Sequence, residues 1–377
     1  MPSIPDSMHQ LIYIANYRLP TEKAHGLQVM KMCEAFSDLG FVVELWLPKR
    51  RNHLAKDEPF VFYNVKPNFK LRFLPVWDLI GVIPRLGFWL ENVTFALQVV
   101  RTLGSQPADA IVYSRDQISL WAISSLSQRP IYFEFHVPPE KVQWWQRTLW
   151  KKTQKIFTIN EASANFLIQN GVPTEKIAVS LSAVDPEFIS ALQTTDTFQR
   201  EPGESIGHKY IVYTGHLYPE KGIETLLVAA TLLPKDYWII IVGGTEELVK
   251  KYRRKFEQKE LQNVRFIGWV PHIKIPHYLQ LADILIIPNS AKFSQSRDYT
   301  SPMKVAEYLV SGKPIVASDV PSLREALGDD ALYFTADDPV RLAEAIQKAS
   351  HLPLRPITRE KVQTWKQRAE IISKQFI

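Results

Sequence analysis

The chain has 377 residues, of which 46% are hydrophobic and 22% are charged, and this composition excludes long disorder, collagen-like repeats and a coiled coil. Its length predicts two domains. A formal net charge of +6 favours phosphate-rich ligands, nucleic acid or an anionic membrane surface without choosing among them. The single cysteine, Cys33, excludes an internal disulfide, a cysteine-based zinc site and an iron–sulfur cluster.

The start of the chain predicts no secretory signal, because residues 1–10 lack a basic segment followed by an apolar stretch. The longest apolar region, 76–103, is interrupted by Asp78, Arg85 and Glu91, whereas a membrane span needs about 20 nearly uncharged residues. We therefore expect a cytoplasmic protein without a transmembrane helix.

The N-terminal half alternates short apolar runs with amphipathic stretches, which is typical of β-α-β units on a parallel sheet. A first strand is predicted at 11–15, followed by a loop at 18–26 and a helix at 27–38 that stops at Gly40. Further strands are predicted at 42–47, 110–113, 131–135 and 155–159. This pattern predicts a doubly wound domain over 1–192.

A weakly patterned stretch, 193–207, is rich in Thr, Glu, Gly and Ser and is predicted to link two domains. The same alternation then restarts over 208–359, with strands predicted at 210–213, 238–242, 264–267, 284–287 and 315–317. Two doubly wound domains in series predict a cleft between the carboxyl ends of their sheets, where open α/β sheets bind ligands.

A candidate phosphate-binding loop follows the first strand of the second half. This strand runs into Gly215, crosses a short loop and opens a helix predicted at 222–233. The free N–H groups of a helix N-terminus, together with the charge of Lys221, suit a diphosphate. The alternative is that Gly215 only makes a turn and that Lys221 is a solvated surface lysine.

The segment 298–314 contains a second candidate. Ser301 is predicted to cap a helix with Pro302 at its first position, which aims free N–H groups at an anion. Glu307 lies about two turns along this helix, where a carboxylate can accept hydrogen bonds from a ribose diol. Taken alone, the segment would fit an ordinary surface helix equally.

In their order along the chain, these motifs resemble the group 1 glycosyltransferases (glycosyltransferase family 4), a retaining family with the GT-B architecture. The resemblance covers almost the whole chain and is carried by 18–26, 214–222, 268–271 and 301–319. It implies an α/β fold with two Rossmann-like domains facing each other across a cleft. The first would bind the acceptor and the second a nucleotide sugar, and a terminal helix, 360–377, would pack back onto the first.

The resemblance also implies roles for single residues. His136, at the end of a predicted strand, would reach the transferred sugar, and the alternative for it is a structural histidine. Lys221 would bind the diphosphate and Glu307 the ribose hydroxyls. Further donor-binding positions are Gly26, whose backbone would close on the phosphate, the turn residues Gly215 and His216, and the backbone of Val305 and Ala306.

Two positions depart from the family pattern. Tyr299 stands where a glutamate is usual, so the neighbouring Asp298 is expected to take over a contact to a sugar hydroxyl. His216 stands where arginine is common, and a neutral imidazole donates a hydrogen bond without a fixed charge. Diphosphate binding would then depend more strongly on Lys221.

We expect neither a metal nor a cofactor. The chain has no Asp-x-Asp pair to hold a metal-bound diphosphate, and the five-residue spacing of His272 and His277 suits one helix face poorly. A nucleotide-triphosphate loop of the GxxxxGK[ST] type is also missing. The nucleotide-diphosphate sugar would be the substrate.

Aromatic and basic residues are mixed in two stretches of the first half. One holds the tryptophans and cations Lys141, Trp144, Trp145, Arg147, Trp150, Lys151 and Lys152, and a weaker one spans 77–89. Such mixtures suit an anionic membrane surface. The alternatives are packing in the core and an acceptor site.

The predicted function is transfer of a sugar to a glycan, lipid-linked or small-molecule acceptor in cell-surface polysaccharide or glycolipid synthesis. The enzyme would work in the cytoplasm or at the inner face of the membrane. A non-catalytic nucleotide-sugar-binding partner and a sugar-nucleotide epimerase are the alternatives. We expect no nucleic-acid partner, because the basic residues are dispersed. The sugar, the nucleotide base and the acceptor stay open.

Overall fold

The computed structural model describes residues 9–193, 207–256, 261–354 and 362–376. The chain divides into two compact units, Met1–Leu181 with Trp365–Ile377, and Ser182–Thr364. The predicted linker lies almost wholly outside the described residues, as does most of the segment 1–10. We predicted the boundary at that linker, whereas the division falls after Leu181, because Phe188 packs in the core of the second unit.

The first unit is built on a parallel sheet. Its strands are β1 Gln10–Ile14, β2 Val42–Lys49, β3 Lys70–Pro75, β4 Ile111–Ser114, β5 Ile131–Phe135, β6 Lys155–Thr158 and β7 Ile177–Val179. They lie in the order β3-β2-β1-β4-β5-β6-β7, so the chain order reverses next to β1, as in a doubly wound sheet. The connecting helices are α1 Ala24–Asp38, α2 Pro59–Tyr63, α3 Pro84–Leu103, α4 Gln117–Leu126, α5 Trp144–Lys152 and α6 Glu161–Gln169.

The second unit repeats this architecture. Its strands are β8 Lys209–Thr214, β9 Tyr237–Val242, β10 Val264–Gly268, β11 Ile284–Ile287, β12 Ile315–Ser318 and β13 Leu332–Phe334, and they lie in the order β10-β9-β8-β11-β12-β13. Its helices are α7 Pro186–Gln193, α8 Ile223–Ala230, α9 Glu246–Phe256, α10 Ile275–Leu281, α11 Ser294–Arg297, α12 Met303–Ser311, α13 Pro321–Leu327 and α14 Pro339–Ala349.

Helices cover both faces of the second sheet. Ile211 and Tyr213 of β8 point into a core shared with α8, α9 and α14. Tyr210 and Val212 alternate with them and enter the opposite core, which contains α10, α12 and α13. Both faces of β8 are therefore buried, which explains why this strand is an almost continuous apolar run in the sequence.

The last helix, α15 (Trp365–Ser373), belongs to the first unit. Its side chains Trp365, Arg368 and Ile372 are buried, and the ring of Phe376 beyond it lies 5.8 Å from that of Phe36 on α1. Phe376 therefore packs against the helix that follows β1.

Three strands have no counterpart in the sequence prediction: β3, β7 and β13. All three form sheet edges, where one side of the strand is unpaired. β7 and β13 have only three residues each, which is too short to be predicted as strands from the sequence. β3 contains exposed Lys70 and lacks a continuous apolar run. Within the described residues, no helix is both long and apolar enough to span a bilayer.

Candidate functional site

The loop after β8 is shaped by two glycines. Gly215 has a φ of +132°, and its N–H donates to the carbonyl of Val242 at 2.9 Å. Gly222 has a φ of +69°, and a Cβ there would collide with the carbonyl of Pro288. Because Gly222 takes this left-handed conformation, α8 begins at Ile223.

Lys221 ends the 3₁₀ turn Pro219–Lys221 just before this glycine. The turn is held on the segment after β11, because the carbonyl of Glu220 accepts from the N–H of Ser290 at 3.0 Å and from the hydroxyl of Ser296 at 2.6 Å. Burial lowers the pKa of Lys221, and the nearby Glu220 carboxylate partly offsets this. Lys221 is thus a half-buried cation on a fixed turn rather than a freely solvated lysine.

The predicted cap at Ser301 was wrong by one residue. Pro302 has an extended ψ of 141°, so it is the N-cap and the helix α12 begins at Met303, with no side-chain cap. The N–H of Val305 donates to the carbonyl of Pro302 at 3.0 Å. One of the two backbone groups expected to face phosphate, at Val305 and Ala306, therefore already has an acceptor.

Glu307 is buried and bonded to a histidine. Its Oε1 lies 2.8 Å from Nε2 of His272, whose ring stacks on Phe188 with centroids 5.3 Å apart. The surface-residue alternative for Glu307 is wrong, because only 6% of the residue is exposed. From the sequence, His272 stands out only as a possible metal ligand with poor spacing, because nothing local joins two positions 35 residues apart.

Lys304 is a site residue that was not predicted from the sequence. Its Nζ lies 3.9 Å from the ring centroid of Tyr213, and a Cβ on Gly215 would approach that Nζ to 2.9 Å. Lys304 precedes Tyr308 by one helical turn, and the hydroxyl of Tyr308 is buried as the acceptor of the Thr214 N–H at 2.9 Å.

The side chains of Asp298 and His216 both contact neighbouring residues. The Asp298 carboxylate accepts from Nη2 and Nε of Arg297, at 2.7 and 3.0 Å. The His216 ring stacks on Tyr218 with centroids 5.1 Å apart. Within the second unit, the structure thus groups Gly215, Lys221 and Lys304, and leaves Asp298 in an ion pair.

His136 lies in the first unit, directly after β5, beside a buried carboxylate. Oε1 of Glu134 accepts 2.8 Å hydrogen bonds from Nε2 of His136, Nε2 of Gln28 and Nη2 of Arg368. Oε2 of the same carboxylate accepts from the Tyr113 hydroxyl at 2.7 Å. Glu134 was not predicted as a site residue, because it lies within the predicted strand 131–135.

The surroundings of this carboxylate determine the protonation state and the tautomer of His136. Burial would raise the pKa of Glu134, but the charge of Arg368 and the hydrogen bond from His136 hold it well below its ordinary range. Burial, followed by repulsion from Arg115, lowers the pKa of His136 to about 4. A neutral imidazole beside an ionised carboxylate donates from Nε2, so Nδ1 is left as the acceptor nitrogen.

Gly26 lies in the first turn of α1, not in the predicted loop, because the helix already begins at Ala24. A Cβ at Gly26 would collide with the Tyr63 hydroxyl and come within 2.7 Å of Cγ2 of Thr21. The hydroxyl of Tyr63 in turn donates to the Thr21 carbonyl at 2.8 Å. Glycine is therefore required here for close packing.

The two aromatic stretches differ in exposure. In α5, Trp144 is 69% exposed, but Trp150 is buried in the core. On α3, four large apolar side chains at helical spacing are between 49% and 59% exposed and form what we call the α3 face: Leu86, Trp89, Val93 and Leu97. More apolar side chains are therefore exposed on α3, in and beyond the stretch that the sequence marked as the weaker candidate for membrane contact.

Residues 194–371 match the family described as "Glycosyl transferases group 1". The O-antigen chain mannosyltransferase B of Escherichia coli is 26% identical over 222 residues, which are 54% of this chain and 54% of that protein. The chain thus spans about half the length of the curated relatives that it matches first. Residues 194–371, which lie almost wholly in the second unit, are thus similar to the group 1 glycosyltransferases.

Solved structures match over nearly the whole chain. Sucrose-phosphate synthase (tll1590) from Thermosynechococcus elongatus has a TM-score of 0.77 at 16% identity and covers 98% of both chains. Anabaena Alr3699/HepE, in complex with UDP and glucose, has a TM-score of 0.64 at 18% identity and covers 97% of this chain and 95% of its own. The fold is therefore that of GT-B proteins, with two Rossmann-like α/β units.

Proposed function

We propose that the protein is a retaining glycosyltransferase of family 4 that moves a hexose from a nucleotide-diphosphate sugar to an acceptor. The observation that carries this proposal is the pair of lysines, Lys221 and Lys304, at the Gly215 turn, with the buried carboxylate of Glu307 on the same helix as Lys304. Two ammonium groups suit a diphosphate, and a carboxylate suits the hydroxyls of a ribose. The family match over 194–371 supports the same assignment.

Catalysis would consist of positioning and charge stabilisation. As the bond between the sugar and phosphate breaks, negative charge grows on the diphosphate, and Lys221 on its fixed turn stabilises it. Glu307 holds the nucleotide, and the Nδ1 of neutral His136 accepts a hydrogen bond from the transferred sugar. These residues supply the charge that a metal ion would otherwise provide, so we propose a metal-independent enzyme.

We propose a glycan or lipid-linked acceptor of cell-surface polysaccharide synthesis. The name of the Escherichia coli relative, an O-antigen chain mannosyltransferase, supports this class of acceptor. The α3 face supports the lipid-linked form, because contiguous exposed apolar side chains that include tryptophan fit a membrane interface. The enzyme would then work in the cytoplasm, at the inner face of the membrane.

One observation favours a second candidate, a nucleotide-sugar-binding partner without turnover. The Asp298 carboxylate, which was expected to contact the sugar, is held by Arg297. Such a partner would bind nucleotide sugars and neither transfer nor slowly hydrolyse them, whereas a glycosyltransferase does both.

The test is a thermal-shift panel of UDP, GDP, ADP and dTDP sugars, followed by a transfer assay with and without EDTA. A ligand at a hundred times its Kd stabilises the protein by about 2.7 kcal/mol, so the correct base should stand out. Lys221→Ala should lower transfer about ten- to a hundredfold, while Lys348→Ala, on the exposed side of α14, should not. Absence of any shift, or loss of transfer with EDTA, would contradict the proposal.

A further inference from the structure

The side-chain amine of Lys304 is buried. The residue is 9% exposed, and the described residues offer its Nζ no hydrogen-bond partner. The face of the Tyr213 ring, 3.9 Å away, is the nearest favourable contact. Burying an unpaired charge costs several kcal/mol, so this position is stable only if the amine is neutral or if an anion comes to it.

The amine lies beside the loop that carries Lys221. The absence of a side chain at Gly215 leaves the space in which Nζ lies, since a Cβ there would be 2.9 Å from it. Gly215 opens the loop that carries Lys221, and Lys304 lies in the first turn of α12, where helix N–H groups also favour negative charge.

The neighbouring charges act on Lys304 in opposite directions. Burial lowers its pKa most, repulsion from Lys221 lowers it further, and Glu307 raises it, with the net pKa well below the ordinary range of lysine. Glu307 is itself bonded to His272. The phenols of Tyr213 and Tyr308, which also face this region, have raised pKa values and stay neutral.

We propose that Lys304 is a second diphosphate-binding cation and that it takes up one proton from solvent when a nucleoside diphosphate binds. The inference rests on the proposed function. In the empty site, burial and repulsion from Lys221 favour the neutral amine. The bound diphosphate brings negative charge to both lysines, and the protonated Lys304 then donates to a phosphate oxygen. Because binding consumes a proton, affinity rises as the pH is lowered.

The experiment is isothermal titration of the parent protein with the diphosphate, among UDP, GDP and ADP, that gives the largest thermal shift. Titrations at about pH 8, in buffers of different ionisation enthalpy, give the number of protons taken up. The parent should take up about one proton more than Lys304→Met, whose Kd should be about ten- to a hundredfold weaker. Lys304→Arg, which is always charged, should bind without this uptake.

Lys313→Met is the matched control, because Lys313 is a half-buried lysine that donates to the carbonyl of Gln280, outside this loop. It should change neither the affinity nor the proton count. Without ligand, Lys304→Met should melt at or above the temperature of the parent, whereas loss of a structural lysine would lower it. Equal proton uptake by the parent and Lys304→Met overturns the inference. If no diphosphate binds to the parent, the proposed function itself fails.

Discussion

Arg368 donates a 2.8 Å hydrogen bond to Glu134, and the two fully buried side chains join positions 234 residues apart. The guanidinium comes from α15 at the end of the chain, and the carboxylate lies in β5, two residues before His136. Nε of Arg368 also donates to the Leu181 carbonyl at 3.1 Å. The last helix is thereby tied to the carboxylate that orients His136.

Breaking this ion pair should destabilise the first unit strongly. Arg368→Met leaves Glu134 charged and buried without its cation, which costs about 3–5 kcal/mol of unfolding free energy. Urea denaturation of the purified protein measures this loss. Arg324→Met, which removes an exposed ion pair with Asp319, is the control and should change stability little. If the two variants lose the same unfolding free energy, the buried ion pair stabilises the protein no more than the exposed one.

Removing the carboxylate as well should restore part of that loss. In the double variant Arg368→Met with Glu134→Gln, no buried charge is left unpaired, so it should be more stable than Arg368→Met alone. If the double variant loses as much unfolding free energy as the two single variants together, Arg368 and Glu134 do not interact.

The protein should become less stable as the pH is lowered below about 6.5, in part because His136 titrates. The folded pKa of this group is about 4, below its ordinary value of 6.5, so between these values the unfolded chain binds the proton that the folded chain does not. Stability is therefore lost as the pH falls through this window, by up to about 1.4 kcal/mol per pH unit.

His136→Gln isolates this contribution, because an amide can still donate to Glu134 but does not titrate. Urea unfolding at about pH 7 and about pH 5 should show a smaller difference for the variant than for the parent. An identical pH dependence would mean that His136 has the same pKa in the folded and the unfolded protein.

Glu307→Gln should weaken nucleotide binding and leave the fold intact. The amide keeps the size of the side chain but loses the charge that accepts from a ribose diol, so the Kd for the nucleotide should rise about tenfold. Titration calorimetry measures the Kd, and thermal melting without ligand checks the fold. Glu344→Gln, on the exposed side of α14, is the control. Lost stability with unchanged affinity would make Glu307 a structural partner of His272.

The α3 face should bind anionic vesicles. Trp89→Glu with Leu97→Glu places charge in the exposed apolar patch and should abolish flotation with phosphatidylglycerol-containing liposomes at low salt. The matched variant Lys151→Glu with Lys152→Glu, on α5, should reduce binding less, because Trp150 of that helix is buried. If the parent never floats, the α3 face does not contact lipid and the lipid-linked acceptor is abandoned.

The sequence determined the doubly wound pattern and the loop that carries Lys221. Interior strands such as β8 and β11 are buried on both faces and so appear as continuous apolar runs. The glycine at 215 and the lysine at 221 lie close together in the chain, so their joint position could be predicted from local spacing. The edge strands β3, β7 and β13 left no such pattern, because they are short or half exposed.

Only the tertiary structure decided which charges meet. Glu307 with His272, and Glu134 with Arg368, are paired by packing between elements far apart in the chain, and no local pattern encodes such contacts. The burial of Lys304 under the Gly215 turn is likewise a consequence of how α12 packs against β8. The pKa of a side chain depends on this burial and on these neighbours, so the protonation states of the site follow from the fold rather than from residue type.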